Sequence, residues 1–275
     1  MTRLSDTGEL ALLAELERRG LITGVADDTA VLAGGFVVTQ DALVEGVHFR
    51  FDWIGWRALG RRAAAVNLSD LAAAGADPEG LLVTLALPPS TRVADVVELY
   101  EGIAETGVPV VGGDTTAAES VVISVTAVGR SGRVPGRGGA RPGDVLVVTG
   151  SLGAAGAAFR AGGYVTPPSR LAEGRELARS AHALLDISDG LAVDAAHIAH
   201  RSEVRVVIEL ERVPLAAGAT IDDLGFGEDY ELLAALADPG PFTAIGRVEA
   251  GEGTALLLHG EPYDLPGWEH FGYSR

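Results

Sequence analysis

The chain has no cysteine and no lysine among its 275 residues, a single methionine and only 5% aromatics. Without cysteine there is no disulfide, no thiolate nucleophile and no cysteine-ligated zinc or iron–sulfur centre. Without lysine there is no Walker-type phosphate lysine and no Schiff base, so every fixed side-chain cation is one of the 21 arginines. Long apolar runs are missing as well. No stretch of 18 uninterrupted apolar residues occurs, and the opening "MTRLSDTGELALLAELERRG" is amphipathic and charged, unlike a signal peptide's continuous apolar region. The pattern predicts a soluble, cytoplasmic protein with no membrane partner. A net charge of −17 with no visible basic face argues against nucleic acid as a partner.

What is present is a large apolar fraction, 47%, arranged in alternating strand-like and helix-like segments. "TGELALLAELERR" predicts a helix, and "AVLAG" and "FVVTQ" predict strands. The Ala- and Leu-rich "GWRALGRRAAAVNLSDLAAAGA" predicts a long buried helix carrying Asn67, Ser69 and Asp70. Strands follow at "GLLVTLALP", "VPVVGG" and "SVVISVTAVGR", with a helix over "TRVADVVELYEGIAETG". Residues 131–143, "SGRVPGRGGARPG", hold five glycines, two prolines and three arginines, and mark a junction between a domain at 1–137 and one at 138–275. In the second half "DVLVVTG", "VRVVIELE", "FTAIGRVEA" and "TALLLHG" predict strands. "SLGAAGAAFRAGG", "PSRLAEGRELARSAHALL", "DGLAVDAAHIAHRS" and "EDYELLAALA" predict helices. The expected class is α/β or α+β in two domains.

The chemistry lies in the aspartates. Asp28, Asp41, Asp70, Asp114, Asp186 and Asp189 all border apolar runs expected to be buried. One such residue is ordinarily an N-cap or a turn. Six suggest convergence, and converging carboxylates ionise side by side only around cations. Hard oxygen donors without cysteine point to Mg²⁺. Magnesium in turn favours phosphate-bearing ligands. In "VVGGDTT" the glycine pair lets the backbone approach a ligand, with Asp114 placed to hold metal, and Arg137 in the glycine-rich junction is a cation able to clamp a polyphosphate.

The blocks "VADDTAVL", "TQDALVEGVHF", "AVNLSDLAAAGADP", "VVGGDTT", "GARPGDVLVVTGSLG", "DISDGL" and "GEDYEL" together resemble the thiamine-monophosphate kinase family, within the superfamily of aminoimidazole ribonucleotide synthetase. The resemblance implies ATP-dependent phosphorylation of thiamine phosphate to thiamine diphosphate with several Mg²⁺ ions. It implies a homodimer whose N-terminal sheets pair into a barrel, each followed by a C-terminal α/β domain. Residue by residue, it implies metal ligands at Asp28, Asp41, Asp70, Asp114, Asp186 and Asp189. Nucleotide contacts fall at Gly113, Asp114, Arg137 and Ser188, with Asp114 and Arg137 at the catalytic centre, and substrate contacts at His48, Glu228 and Trp268. The chain departs from the family pattern at Ala26, Gln40 and Phe226, and in a shortened C-terminal half. Sister enzymes that depend on cysteine or lysine are excluded by composition.

Overall fold

A computed structural model describes residues 4–23 and 27–268 of the protein. The departure at Ala26 lies outside the described residues. Helix α1 (Leu4–Arg18) is kinked at Gly8 and leads into the N-terminal half. There β1 (Ala30–Leu32), β2 (Phe36–Val44), α2 (Trp56–Ala73), β3 (Asp77–Leu87), α3 (Val93–Ala104), β4 (Val110–Ala117) and β5 (Val122–Arg130) follow in turn. The five strands form one sheet in the order β1-β2-β5-β3-β4, antiparallel except where β3 pairs in parallel with β4. Helix α2 packs on one face. Strand periodicity puts Val37 and Thr39 of β2 on the buried side, and the side chain of Gln40 on the other, where it donates to Ser124 Oγ at 3.0 Å.

The second half contains β6 (Val145–Val148), α4 (Ala154–Arg160), α5 (Leu171–Leu177), β7 (Ala183–Asp186), α6 (Leu191–Ser202), β8 (Arg205–Glu209), β9 (Leu232–Leu236), β10 (Thr243–Glu249), β11 (Gly253–Leu258) and β12 (Glu261–Pro262). Its seven-stranded sheet runs β12-β11-β8-β10-β6-β9-β7, with β8 and β11 parallel and the other pairs antiparallel. The architecture is mixed α/β in two parts. Ala72 and Ala73 at the end of α2 share a core with Leu177, Leu184 and Leu232, so the helix that bears Asp70 is packed directly against the sheet that bears Asp186. Among the described residues no helix is long and apolar enough to cross a membrane.

Two expected helices are corrected. In "EDYELLAALA" the segment Leu232–Leu236 is strand β9, every residue buried, paired with β6 on one side and β7 on the other. Leu and Ala favour helix locally, but a strand between two others is buried on both faces and reads as an unbroken apolar run, which periodicity does not distinguish from helix. "PSRLAEGRELARSAHALL" is likewise split: α5 stops at Leu177, and Ala183 opens β7.

Candidate active site

Four segments converge where the halves meet. The loop before β1 supplies Asp28, β2 supplies Asp41, α2 supplies Asp70, and the end of β7 with the turn after it supplies Asp186, Ser188 and Asp189. One oxygen from each of Asp28, Asp70 and Asp186 lies within 4.8 Å of the others. Ser69 donates to Asp186 Oδ2 at 2.5 Å, and Asn67 accepts the Asp41 N–H at 2.9 Å while its own amide donates to the Ala63 carbonyl. Thr39 donates to Asp70 Oδ2 at 2.5 Å. On β2 the hydroxyl beside the cluster therefore comes from position 39, two residues before Asp41 on the same strand face, and the glutamine at 40 does not compete for that place. Sequence reasoning missed Thr39, although strand alternation alone puts 39 and 41 on one side.

Bringing these carboxylates together is electrostatically costly. Burial, reinforced by the charges of Asp186, Asp41 and Asp28, pushes Asp70 well above the ordinary carboxylate range. Burial and the Asp28 charge push Asp186 up to about 8. Asp28 is also raised by burial, with the Arg137 guanidinium acting against it through an ion pair. A single arginine does not balance three facing acids, and an all-oxygen donor set of this kind suits a hard divalent cation.

This has a measurable consequence in metal-free protein. A carboxyl whose folded value is raised lends stability that is complete below its unfolded value, near 3.8, and is lost as pH climbs through the folded value, about 8 for Asp186. His197, held down to about 4 chiefly by burial and next by Arg137, works in the opposite sense, but only below its ordinary value of 6.5. Between pH 6.5 and 8.5 the acids act alone. In the presence of a chelator the melting temperature is expected to fall by about 5 °C across that window. Asp186→Asn should flatten the slope. A parent Tm that is constant or rising over the same range would contradict the assignment.

The cluster opens into a cavity of about 680 Å³ whose lining includes Asp28, Asp41, Asp70, Arg137, Ser188 and Asp189 together with His48, Glu228, Tyr230 and Trp268. His48 Nδ1 accepts the Val44 N–H at 3.0 Å, so the neutral ring carries its proton on Nε2. The Trp268 backbone N–H donates to the Asp189 carbonyl at 2.9 Å, tying the C-terminal stretch to the aspartate turn. Asp194 plays a structural part, because its carboxylate accepts the N–H groups of Asp189 and Gly190 at 3.0 Å each and shapes the turn into α6. Phe226 has φ −71°, a backbone any residue adopts, and its ring packs tilted against Phe159 with centroids 4.9 Å apart. The position therefore does not require glycine.

Gly113 and Asp114 stand apart from this cavity. They lie inside β4 at the sheet edge, and two strands separate β4 from β2. Three inter-strand steps put Asp114 about 14 Å along the sheet from Asp41. Gly113 has φ +146°, and a Cβ there would sit 1.9 Å from the Val83 carbonyl oxygen. The close backbone approach that its sequence predicts is thus an approach to β3.

The AIR synthase related N-terminal domain matches residues 26–131, and the AIR synthase related C-terminal domain matches residues 141–259. These two domains define an AIR synthase-like two-part scaffold. The chain is 34% identical to the thiamine-monophosphate kinase of Aquifex aeolicus, covering 98% of this chain and 100% of that protein, and 34% identical to that of Mycobacterium tuberculosis, covering 98% and 93%. A solved structure described as AaThiL complexed with AMPPCP and TMP superposes with a TM-score of 0.89 at 34% identity, covering 98% of this chain and 99% of that one. The chain belongs to the thiamine-monophosphate kinase family.

Proposed function

We propose that this protein transfers the γ-phosphoryl group of ATP to thiamine phosphate, forming thiamine diphosphate and ADP, in the cytoplasm. The observation that carries this reading is the meeting of Asp28, Asp70 and Asp186, drawn from both halves of the chain, beside Arg137 at a cavity that Glu228 and Trp268 also line. Asp28, Asp41, Asp70, Asp186 and Asp189 would hold several Mg²⁺ ions, which supply charge neutralisation between the facing phosphates when bound. Arg137 and Ser188 face the nucleotide phosphates. The acceptor is a phosphate monoester, largely a dianion near neutral pH, so the protein needs no strong general base. An acceptor phosphate oxygen attacks the γ-phosphorus in line as the bond to the β,γ-bridging oxygen breaks and ADP leaves. The protein contributes positioning and charge compensation. Glu228 and Trp268 suit the acceptor's cationic, aromatic character, and His48 lines the same cavity.

The distance of Asp114 from the cluster within one chain supports a homodimer, in which a second copy's β4 brings its Asp114 and Gly113 to this cavity as the N-terminal sheets close into a barrel. Exposed apolar side chains at that sheet, Val111 and Leu82 among them, give such a contact apolar surface to bury.

Incubation with Mg-ATP and thiamine phosphate, followed by chromatography, should yield thiamine diphosphate and ADP in equal amounts, and EDTA should abolish both. ADP release without thiamine diphosphate, or nucleotide binding with no turnover, would refute the reading and favour a silent scaffold.

A further inference from the structure

Arg62 heads the fully buried large side chains among the described residues, at 1% exposure in the middle of α2. A guanidinium stays charged at any physiological pH, so burying one is unfavourable unless its donors are matched. Here they are matched only in part. Nη1 donates to the Val165 carbonyl at 2.7 Å, and the guanidinium carbon lies 5.3 Å from the centre of the Tyr164 ring. Nη2 stands 2.8 Å from Glu228 Oε2 as an ion pair, yet neither Nη2 nor Nε has a hydrogen-bond partner of good geometry. Packing alone does not account for a charge kept in such a place.

Glu228 explains it. The backbone on either side of this residue is tightly set: Glu228 and Tyr230 have φ of 60° and 52°, Glu228 N–H donates to the Ser188 carbonyl, and Tyr230 N–H donates to the Ile187 carbonyl, both at 2.8 Å. At Gly227, with φ +79°, a Cβ would meet the Ser188 carbonyl oxygen at 2.3 Å. These bonds fix the Glu228 Cα beside the cavity that it lines, and backbone bonds alone do not set side-chain torsions. We infer that Arg62 is a positioning residue for the acceptor, its cation selecting the Glu228 side-chain conformation that faces the thiamine ring system. Because α2 also carries Asn67, Ser69 and Asp70, one rigid helix then sets both the acceptor carboxylate and the phosphate-side acids. This inference rests on the proposed kinase reading. The sequence signal was available: positions 62, 66, 69 and 73 share one stripe of a helix, so Arg62 lies on the face of Ser69.

The test is a set of steady-state measurements on Arg62→Met, Arg62→Lys, Glu228→Gln and the double variant Arg62→Met/Glu228→Gln. Loss of a charged partner that orients a binding group is expected to raise the thiamine phosphate KM about tenfold in R62M while the ATP KM stays within about twofold. R62K, which keeps the charge but loses the planar fork, should raise the acceptor KM by less than R62M does. In the Glu228→Gln background, R62M should add less than about twofold, because its effect runs through Glu228. Equal increases in both KM values, an unchanged acceptor KM, or the same factor in both backgrounds would overturn the role of Arg62. If R62M does not fold, the comparison of the double variant with E228Q, together with R62K against the parent, decides between the two outcomes. A parent chain that forms no thiamine diphosphate overturns the kinase reading and this inference with it, whereas with an active parent the KM pattern bears on Arg62 alone.

Discussion

Asp70→Asn is expected to lower kcat about a thousandfold, on the order of 4 kcal/mol of transition-state stabilisation, while raising the melting temperature of the metal-free protein. Both effects come from the same charge. Asp70 is buried against Asp186, Asp41 and Asp28, and each of these raises its pKa further after burial has done so. An amide of the same shape still accepts the Thr39 hydroxyl, so the local geometry survives. What disappears is one negative charge that disfavours the empty fold and, on the proposed reading, favours the loaded one. Thermal melts with and without Mg²⁺ should show this directly. The parent gains stability from the ion by mass action, and the variant should gain much less. A D70N protein that keeps a tenth of parental turnover would show that the acid cluster is not where phosphoryl transfer occurs.

Mixed dimers supply the second large effect. If a second copy provides Asp114, then D114N and D70N homodimers should each be nearly inactive. Equal mixing after dissociation should restore about a quarter of parental activity, because half of the dimers are mixed and each of those has one intact site out of two. The reason is geometric. Asp114 sits on the far edge strand of the same sheet that carries Asp41, with β5 and β3 between them, and no side-chain rotation spans that separation. Mixing without recovery, in a preparation shown to exchange subunits, would mean that each Asp114 serves its own chain or serves no site at all.

Much of the site was legible from the residue order because aspartates beside apolar runs carry a charge that burial disfavours unless a cation or a proton relieves it. The aspartates at 28, 70 and 186 do meet, although they are scattered over the length of the chain, and Ser188, Asp189, Glu228 and Trp268 line the same cavity. Thr39 and Arg62 were not legible in that way. A threonine in a strand and an arginine in a helix are ordinary on a solvent-facing side; periodicity puts them on the faces of Asp41 and Ser69, but packing is what shows those faces to be buried. At Gly113 the backbone that comes close belongs to the neighbouring strand β3.

By itself, the order of amino acids determined the alternating α/β character, the exclusion of thiol and lysine chemistry, and the family. The tertiary structure alone decided that Leu232–Leu236 is a strand, that Thr39 supplies the hydroxyl at Asp70, that Arg62 reaches Glu228, and that Asp114 lies away from the acids it was expected to join. The division has one cause. Composition and local periodicity record what each residue requires of its surroundings, whereas which face a side chain takes and which distant group it meets depend on how sheets and helices pack across the whole chain.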